Sequence, residues 1–319
     1  MSDQPVEETF PILALDIGGT KIGWAIVDEV EGELSIIESD AIATRANEGG
    51  PAVADRICGL VEEIHQRFPA LTGIAVASAG VVNPTDGSII SATNTMPGWG
   101  GTPLGERLRA STGLPVQVLN DVHAHGLGEA RLGAGRGYDT VLSIAVGTGI
   151  GGAIIHDSEV VFGSHYLAGH VGHIHHHYAP DMQCSCGRMG HIEAFCSGSG
   201  VTAWYAQRRS DSDPEARNGR ELQELADSGH ALALSCFTES AYALGESIGS
   251  LANTIDPSII IMSGSMTRSG EAWWDAVAAG YASSAMSAVA PVAIVPGELS
   301  GAAPLMGAVL HYLNRRGAR

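Results

Sequence analysis

The sequence predicts an α/β protein with mixed sheets, folded as two lobes with a cleft between them. Runs of buried-type apolar residues alternate with helical patterns along the chain, the order that layered α/β folds produce. A strand–glycine turn–strand unit near the start, residues 12–28, recurs at 140–161, which marks two related halves. At 319 residues there is also length enough for two ordinary domains.

The first strand is 12–17 (ILALDI) and the second 22–28, joined through Gly18-Gly19-Thr20. A third strand covers 34–42, a helix 51–68 stops at Pro69, and a strand occupies 72–78. Asp86-Gly87 turns the chain into a short strand at Ile89-Ile90. Thr102-Pro103 opens a helix through Ala110, with Thr102 as cap and proline at the first position. Strand 115–119 delivers Asn120-Asp121, and a helix follows to about Leu132. Strand 140–146 then meets Gly147-Thr148-Gly149-Ile150-Gly151-Gly152, and 153–161 returns. A long helix over about 230–255 ends at Asp256-Pro257, strand 258–262 runs into Gly264, and a helix starts near Gly270. The last helix, about 303–315, packs back on the first lobe. The lobes are therefore 1–120 plus about 304–319, and 121–303.

Composition narrows the function. With 17 Lys+Arg against 35 Asp+Glu the net charge is −18, which opposes a general nucleic-acid binder. An anionic ligand must be held by local backbone dipoles and metal ions. Hydrophobic content of 45% excludes wholesale disorder. No apolar run reaches 18 residues, so no membrane span is expected, and residues 1–10 read as a frayed tail rather than a signal peptide. Five cysteines, an odd number, make no disulfide framework and suit a reduced, cytoplasmic enzyme.

Residues 147–152 satisfy G-x-G-x-x-G, yet the dinucleotide fingerprint needs a helix directly after the glycines, and AIIHDSEVVFG follows. No glycine loop is followed by G-K-[ST], so the Walker loop fails too. A hairpin whose backbone N–H groups face phosphate oxygens fits better. Gly18 and Gly19 clear the approach, Thr20 and Lys21 add donors, and Asp16 at the strand end can hold Mg²⁺ directly or through water. The plain alternative is a pair of ordinary tight hairpins.

LALDIGGTKIGWAIVD, VLNDVHAHGLGEARLGAG, AVGTGIGGAII, and AGHVGH with CSCGRMGHIEAFCSG together resemble the ROK family of bacterial sugar kinases. The likeness thins after Gly200 to MSGS at 262–265 and PLMGAVL at 304–310. It implies the actin/hexokinase-like (ribonuclease H-like) fold, ATP with Mg²⁺, a structural Zn²⁺, and homodimers. By the same resemblance Thr148 and Gly149 join Gly18, Gly19 and Thr20 around the phosphates, and Gly264 and Ser265 lie near the nucleoside. Asn120 and Asp121 contact the sugar, with Asp121 as the base that takes the hydroxyl proton; alternatively Asp121 simply caps its helix. Gly80, Val81, Thr93 and Asn94 are further sugar contacts, in a loop where Ala79 replaces the relatives' proline and rigidity is expected to fall.

The family's zinc pattern is a histidine followed by C-x-C-G-x-x-G-C. Here it becomes His173, Cys184, Cys186 and His191, a Cys₂His₂ set that tetrahedral zinc accepts. Cys196 or one of His175-His176-His177 could replace His191; otherwise that run is a solvated loop. The resemblance also sets His173 and Glu193 on the sugar. Where glucose-type relatives read E-x-G-H, this chain has His170, an imidazole able to donate to an acetamido carbonyl. That version resembles N-acetylmannosamine kinases, so the expected reaction is 6-phosphorylation of N-acetyl-D-mannosamine, with glucokinase as the alternative. A sugar-responsive repressor would need a helix-turn-helix ahead of the first loop, for which Asp16 leaves no room. A non-catalytic sugar binder would not need both phosphate loops.

Overall fold

The computed structural model describes residues 10–317, so the tail expected over 1–10 falls almost wholly outside it. The chain divides into two compact units. The first takes the chain up to Arg131, the stretch Gly163–Leu167 and the chain from Gly301 onward; the second takes Leu132–Phe162 and Ala168–Ser300.

In the first unit β1 (Ile12–Ile17), β2 (Lys21–Val30), β3 (Glu33–Ala43), α1 (Gly50–Arg67) and β4 (Gly73–Ser78) lead to the small β5 (Val81–Val82) and β6 (Ile89–Ser91). Then come α2 (Leu104–Thr112), β7 (Val116–Asn120) and α3 (Asp121–Leu132). The sheet order is β3-β2-β1-β4-β7, antiparallel through β3, β2 and β1 and parallel through β1, β4 and β7. Strands β1 and β4 are apolar on both faces because both faces are covered. Val53, Ile57, Val61 and Ile64 of α1 belong to one buried cluster with Leu13, Leu15 and Ile74. Helix α3 lies with this unit rather than opening the second.

The second unit holds β8 (Thr140–Val146), β9 (Ile150–His156), β10 (Glu159–Val160), α4 (Glu193–Cys196), α5 (Gly198–Arg208), α6 (Gly219–Asp227) and α7 (Ala231–Ile255). It continues with β11 (Ile259–Ser263), α8 (Glu271–Ser284) and β12 (Ile294–Pro296). Its sheet, β10-β9-β8-β11-β12, repeats the plan of the first: an antiparallel hairpin continued by parallel strands. The chain closes with α9 (Ala303–Gly317) in the first unit, where the Tyr312 hydroxyl donates to the Thr72 carbonyl. Helix α9 packs close to α3: a Cβ on Gly307 would stand 1.7 Å from the Ala124 carbonyl oxygen, and one on Gly128 2.3 Å from that of Ala303.

Three expectations are corrected. Thr102 caps nothing with its side chain, since Pro103 holds the cap position of α2 and Thr102 offers only its carbonyl to Leu104 N–H. The return strand begins at Ile150, not 153, so Gly151 and Gly152 are paired strand residues and the turn shrinks to Gly147–Gly149. The stretch between Gly200 and His230, read as no element, carries most of α5 and all of α6.

Candidate functional site

Strand register gathers candidate residues in the first unit. Ile17 pairs with Ser78 across β1 and β4, and Ser78 with Asn120 across β4 and β7, so Asp16, Ser78 and Asn120 gather at the carboxyl ends of parallel strands. That is where open α/β sheets carry ligands. Asn120 is buried and both its donors are spent: its amide donates to the Gly80 carbonyl (2.8 Å) and to Asp121 Oδ1 (2.9 Å), while its oxygen accepts from His123 N–H (3.1 Å). Asn120, not Asp121, thus caps α3. Asp121 Oδ1 also accepts from Val122 N–H at 2.9 Å. Burial pushes the Asp121 carboxyl up, against those hydrogen bonds. Burial, then the Asp121 charge, raise Asp16 to about 6, with Lys21 opposing.

The first glycine turn is tied from outside. Thr44, fully buried, donates its hydroxyl to the Gly18 carbonyl at 2.6 Å and its N–H to Thr20. The loop at Ala79 is fastened without proline: Ala79 N–H donates to Ile17, Trp99 Nε1 donates to the Ala79 carbonyl, and Gly80 is held by Asn120. Val81 pairs with Ser91 in the small sheet, and Thr93 and Asn94 are exposed, with the Thr93 hydroxyl 3.0 Å from that of Thr95.

The second unit has its own cavity, about 870 Å³, with Thr148, Ser199, Asn218, Gln223, Ser265 and Arg268 among its walls. The turn Gly147–Gly149 is held against α5 by Gly198 N–H donating to the Gly147 carbonyl at 2.7 Å, and Ser197 caps α5. The free N–H groups and dipole at a helix N-terminus favour negative charge. Gly264 turns at φ +97°, where a Cβ would meet the Val146 carbonyl oxygen at 2.3 Å, so only glycine lets β11 end there. Glu193 is buried with both oxygens engaged. Oε2 accepts from Ile150 N–H at 3.0 Å, and Oε1 from Ser185 Oγ at 2.5 Å and Cys184 Sγ at 3.2 Å. Burial opposes its ionisation, but these bonds and His173 hold its carboxyl below the usual value.

The loop before α4 brings four donors together. His173, Cys184, Cys186 and His191 each place a ligand atom within 4.8 Å of the others. Cys184 Sγ lies 3.4 Å from His173 Nδ1, and Cys186 Sγ 3.2 Å from His191 Nδ1. Those spacings suit the edges of a tetrahedron with metal–sulfur bonds of about 2.3 Å and metal–nitrogen bonds of about 2.0 Å. The donor chemistry and the spacing therefore fit zinc. Gly190 makes the curl possible, at φ +83° and with the His175 ring 2.5 Å from where its Cβ would be. Cys196 is buried and outside this cluster. Without a metal, burial and Glu193 push the Cys184 thiol up to about 12.

The ROK family model matches residues 12–314. The chain belongs to the ROK family. This ROK protein is 30% identical over 283 residues to a glucokinase of Streptomyces coelicolor, covering 84% of this chain and 86% of that one. Its fold matches a ROK glucokinase from Streptomyces griseus, solved with glucose and AMPPNP, at TM-score 0.78 and 29% identity over 97% of this chain and 100% of that one. It also matches Lmo2764 of Listeria monocytogenes, provisionally named an N-acetylmannosamine kinase, at TM-score 0.77 and 27% identity over 96% and 100%. The fold is thus the actin/hexokinase-like α/β fold of ROK sugar kinases.

Two groups of ROK-protein residues escaped the sequence. Thr44 gives no local signal, lying far along the chain from the loop it ties. The α6 wall of the cavity did give one: Asn218 caps α6 by accepting from Glu221 N–H at 3.0 Å, and N-x-x-E is a readable cap. His170 leads into the short turn Val171–His173, and His173 N–H donates to its carbonyl at 3.2 Å. His175-His176-His177 is not a solvated loop throughout, since the His176 side chain is 9% exposed and faces Glu246.

Proposed function

We propose that this ROK protein is an ATP-dependent sugar kinase that phosphorylates the 6-hydroxyl of N-acetyl-D-mannosamine. The observation that carries the reading is Asp121, a carboxylate whose proton affinity is raised by burial while its direction is set by Asn120 and Val122. Such a group is suited to accept a hydroxyl proton as the oxygen attacks phosphorus. With Oδ1 committed, Oδ2 is the oxygen assigned to the sugar. Asn120 acts mainly through Asp121 and the Gly80 loop, with one carbonyl lone pair left for a sugar hydroxyl.

Gly18, Gly19, Thr20, Lys21, Thr148 and Gly149 are assigned to the phosphates, with Ser265 toward the nucleoside. Gly264 serves by letting Ser265 reach the cavity. Asp16 would hold Mg²⁺, whose charge neutralises the phosphate oxygens, and the mutual repulsion of Asp16 and Asp121 suits a site that takes up a cation. His173, Cys184, Cys186 and His191 would hold Zn²⁺ as a loop staple. As a thiolate ligand Cys184 has no proton to give Glu193, which frees a lone pair of Oε1 for a sugar hydroxyl.

N-acetylmannosamine is favoured by His170, a possible donor to the acetamido carbonyl, and by the likeness to the Listeria protein. Glucokinase is the second reading, favoured by the likeness to the Streptomyces coelicolor enzyme. Coupled ADP release on N-acetylmannosamine, N-acetylglucosamine, glucose, mannose, fructose and allose tests both. Turnover on glucose with none on N-acetylmannosamine overturns the substrate. We assign the enzyme to the cytoplasm as a homodimer, the latter read by light scattering.

A further inference from the structure

The histidine run meets α7 at a cluster that the reaction above does not use. Nε2 of His176 lies 3.5 Å from Oε2 of Glu246, and His176, His177 and Glu246 each offer a ligand atom within 4.8 Å of the other two. The 3.5 Å separation is too long for a good hydrogen bond. Oε2 of Glu246 is buried and accepts none among the described residues. A buried carboxylate oxygen without a donor is uncommon and calls for an explanation. The same 3.5 Å is close to the ligand-to-ligand edge of a four-coordinate ion bound at about 2.0–2.2 Å.

The surroundings hold these side chains in place. The His176 and His177 ring centroids are 4.5 Å apart, and the Tyr178 ring lies 5.5 and 4.4 Å from them. Tyr178 in turn stacks on buried Phe195 at 5.6 Å. A cavity of about 250 Å³ lies against the cluster, lined by His176, His177, Glu246, Ser247, Ser250 and Ser284. The Ser247 hydroxyl is a second buried polar atom with no partner among the described residues. Among the described residues one weak contact opposes a metal at His176 Nε2: Tyr178 N–H reaches Nδ1 at 3.4 Å, and a ligating ring carries its proton there.

We propose that His176, His177 and Glu246 form a second divalent metal site, separate from the Cys₂His₂ cluster. Two imidazoles and one carboxylate favour ions of the Zn²⁺, Co²⁺ or Ni²⁺ class over Mg²⁺ or Ca²⁺, which prefer all-oxygen shells. The cavity supplies room for water to complete the shell. Occupied, the site straps the loop that follows His173 to α7.

The test is cobalt titration of untagged, metal-stripped protein, followed by absorption and by metal content after dialysis. The Cys₂His₂ cluster answers with thiolate-to-metal charge transfer in the near ultraviolet, and a second equivalent should add only weaker visible bands. Two ions per chain are expected. His177→Gln and Glu246→Gln should each weaken the second ion at least about tenfold and leave the sulfur band unchanged. His177 is exposed, so the first variant folds even if the second does not. Fewer than two ions per chain, or a second ion untouched by His177→Gln, overturns the site.

Discussion

Replacing Asp16 with asparagine should make the ligand-free protein more stable at neutral and alkaline pH. In the folded chain the Asp16 carboxyl is raised from 3.8 to about 6, first by burial, then by the charge of Asp121, with Lys21 offsetting part. A raised value means that the native state holds the proton more tightly than the unfolded chain. Below pH 3.8 both states are protonated and the site costs nothing. As pH rises through about 6 the buried carboxylate ionises and the whole cost is present. The shift, about 6 less 3.8, is about 2.2 units, or about 3 kcal/mol at about 1.36 kcal/mol per unit. An amide in the same place needs a partner of its own, which returns about 1 kcal/mol. The net gain of about 2 kcal/mol corresponds to about 4–8 °C for a unit of this size.

Thermal melts of Asp16→Asn and the parent at pH 4 and pH 8, without nucleotide or divalent ions, read this directly. The variant should melt higher at pH 8, and the gap should shrink toward pH 4. A variant that melts no higher at pH 8, or a gap that is the same at both pH values, would refute the reasoning. Turnover with Mg-ATP should fall in the same variant, so stability and activity move in opposite directions.

Asp121→Asn should lower kcat by about 10²–10⁴-fold with little change in sugar KM, measured by coupled assay; retained turnover would mean the base is misassigned. Glu193→Gln offers only one acceptor oxygen to Ile150 N–H and Ser185, and should cost about 1–3 kcal/mol in urea unfolding while raising the KM for both nucleotide and sugar. Burial, then Arg315 and His123, lower His311 from 6.5 to about 4, so it is neutral in the fold at neutral pH. Its contribution of about 3 kcal/mol is present above 6.5 and lost as pH falls through about 4, and His311→Gln should flatten that limb of the urea midpoint against pH.

What the chain shows of itself depends on how far apart its cooperating residues lie. ILALDI, TGIAVAS and PVQVL are short apolar runs, and their parallel order follows from the helices between them, so the edge that collects Asp16, Ser78 and Asn120 was within reach. The spacing C-x-C-G-x-x-G-H likewise carries its own geometry, because Gly190 must turn where a side chain would strike His175. Glu193 differs. Its partner Ile150 is 43 residues away, and nothing near either residue announces that a carboxylate will close the second turn. Asn120 differs in another way: its type and place were readable, but not that both its donors would be spent on Gly80 and Asp121. The glycines divide along the same line. Gly18 and Gly147 lie in turns, a local property, whereas Gly149 makes room for Glu193, whose Oε2 would stand 2.6 Å from a Cβ there, and Gly128 and Gly307 let α3 and α9 approach. His176 is the sharpest case. Three consecutive histidines are polar and local reasoning sends them to water, yet α7 brings Glu246 against the middle one and removes it from solvent. A polar run becomes a candidate ligand set only through a helix that begins more than 50 residues later, which the spacing of the run itself could not announce.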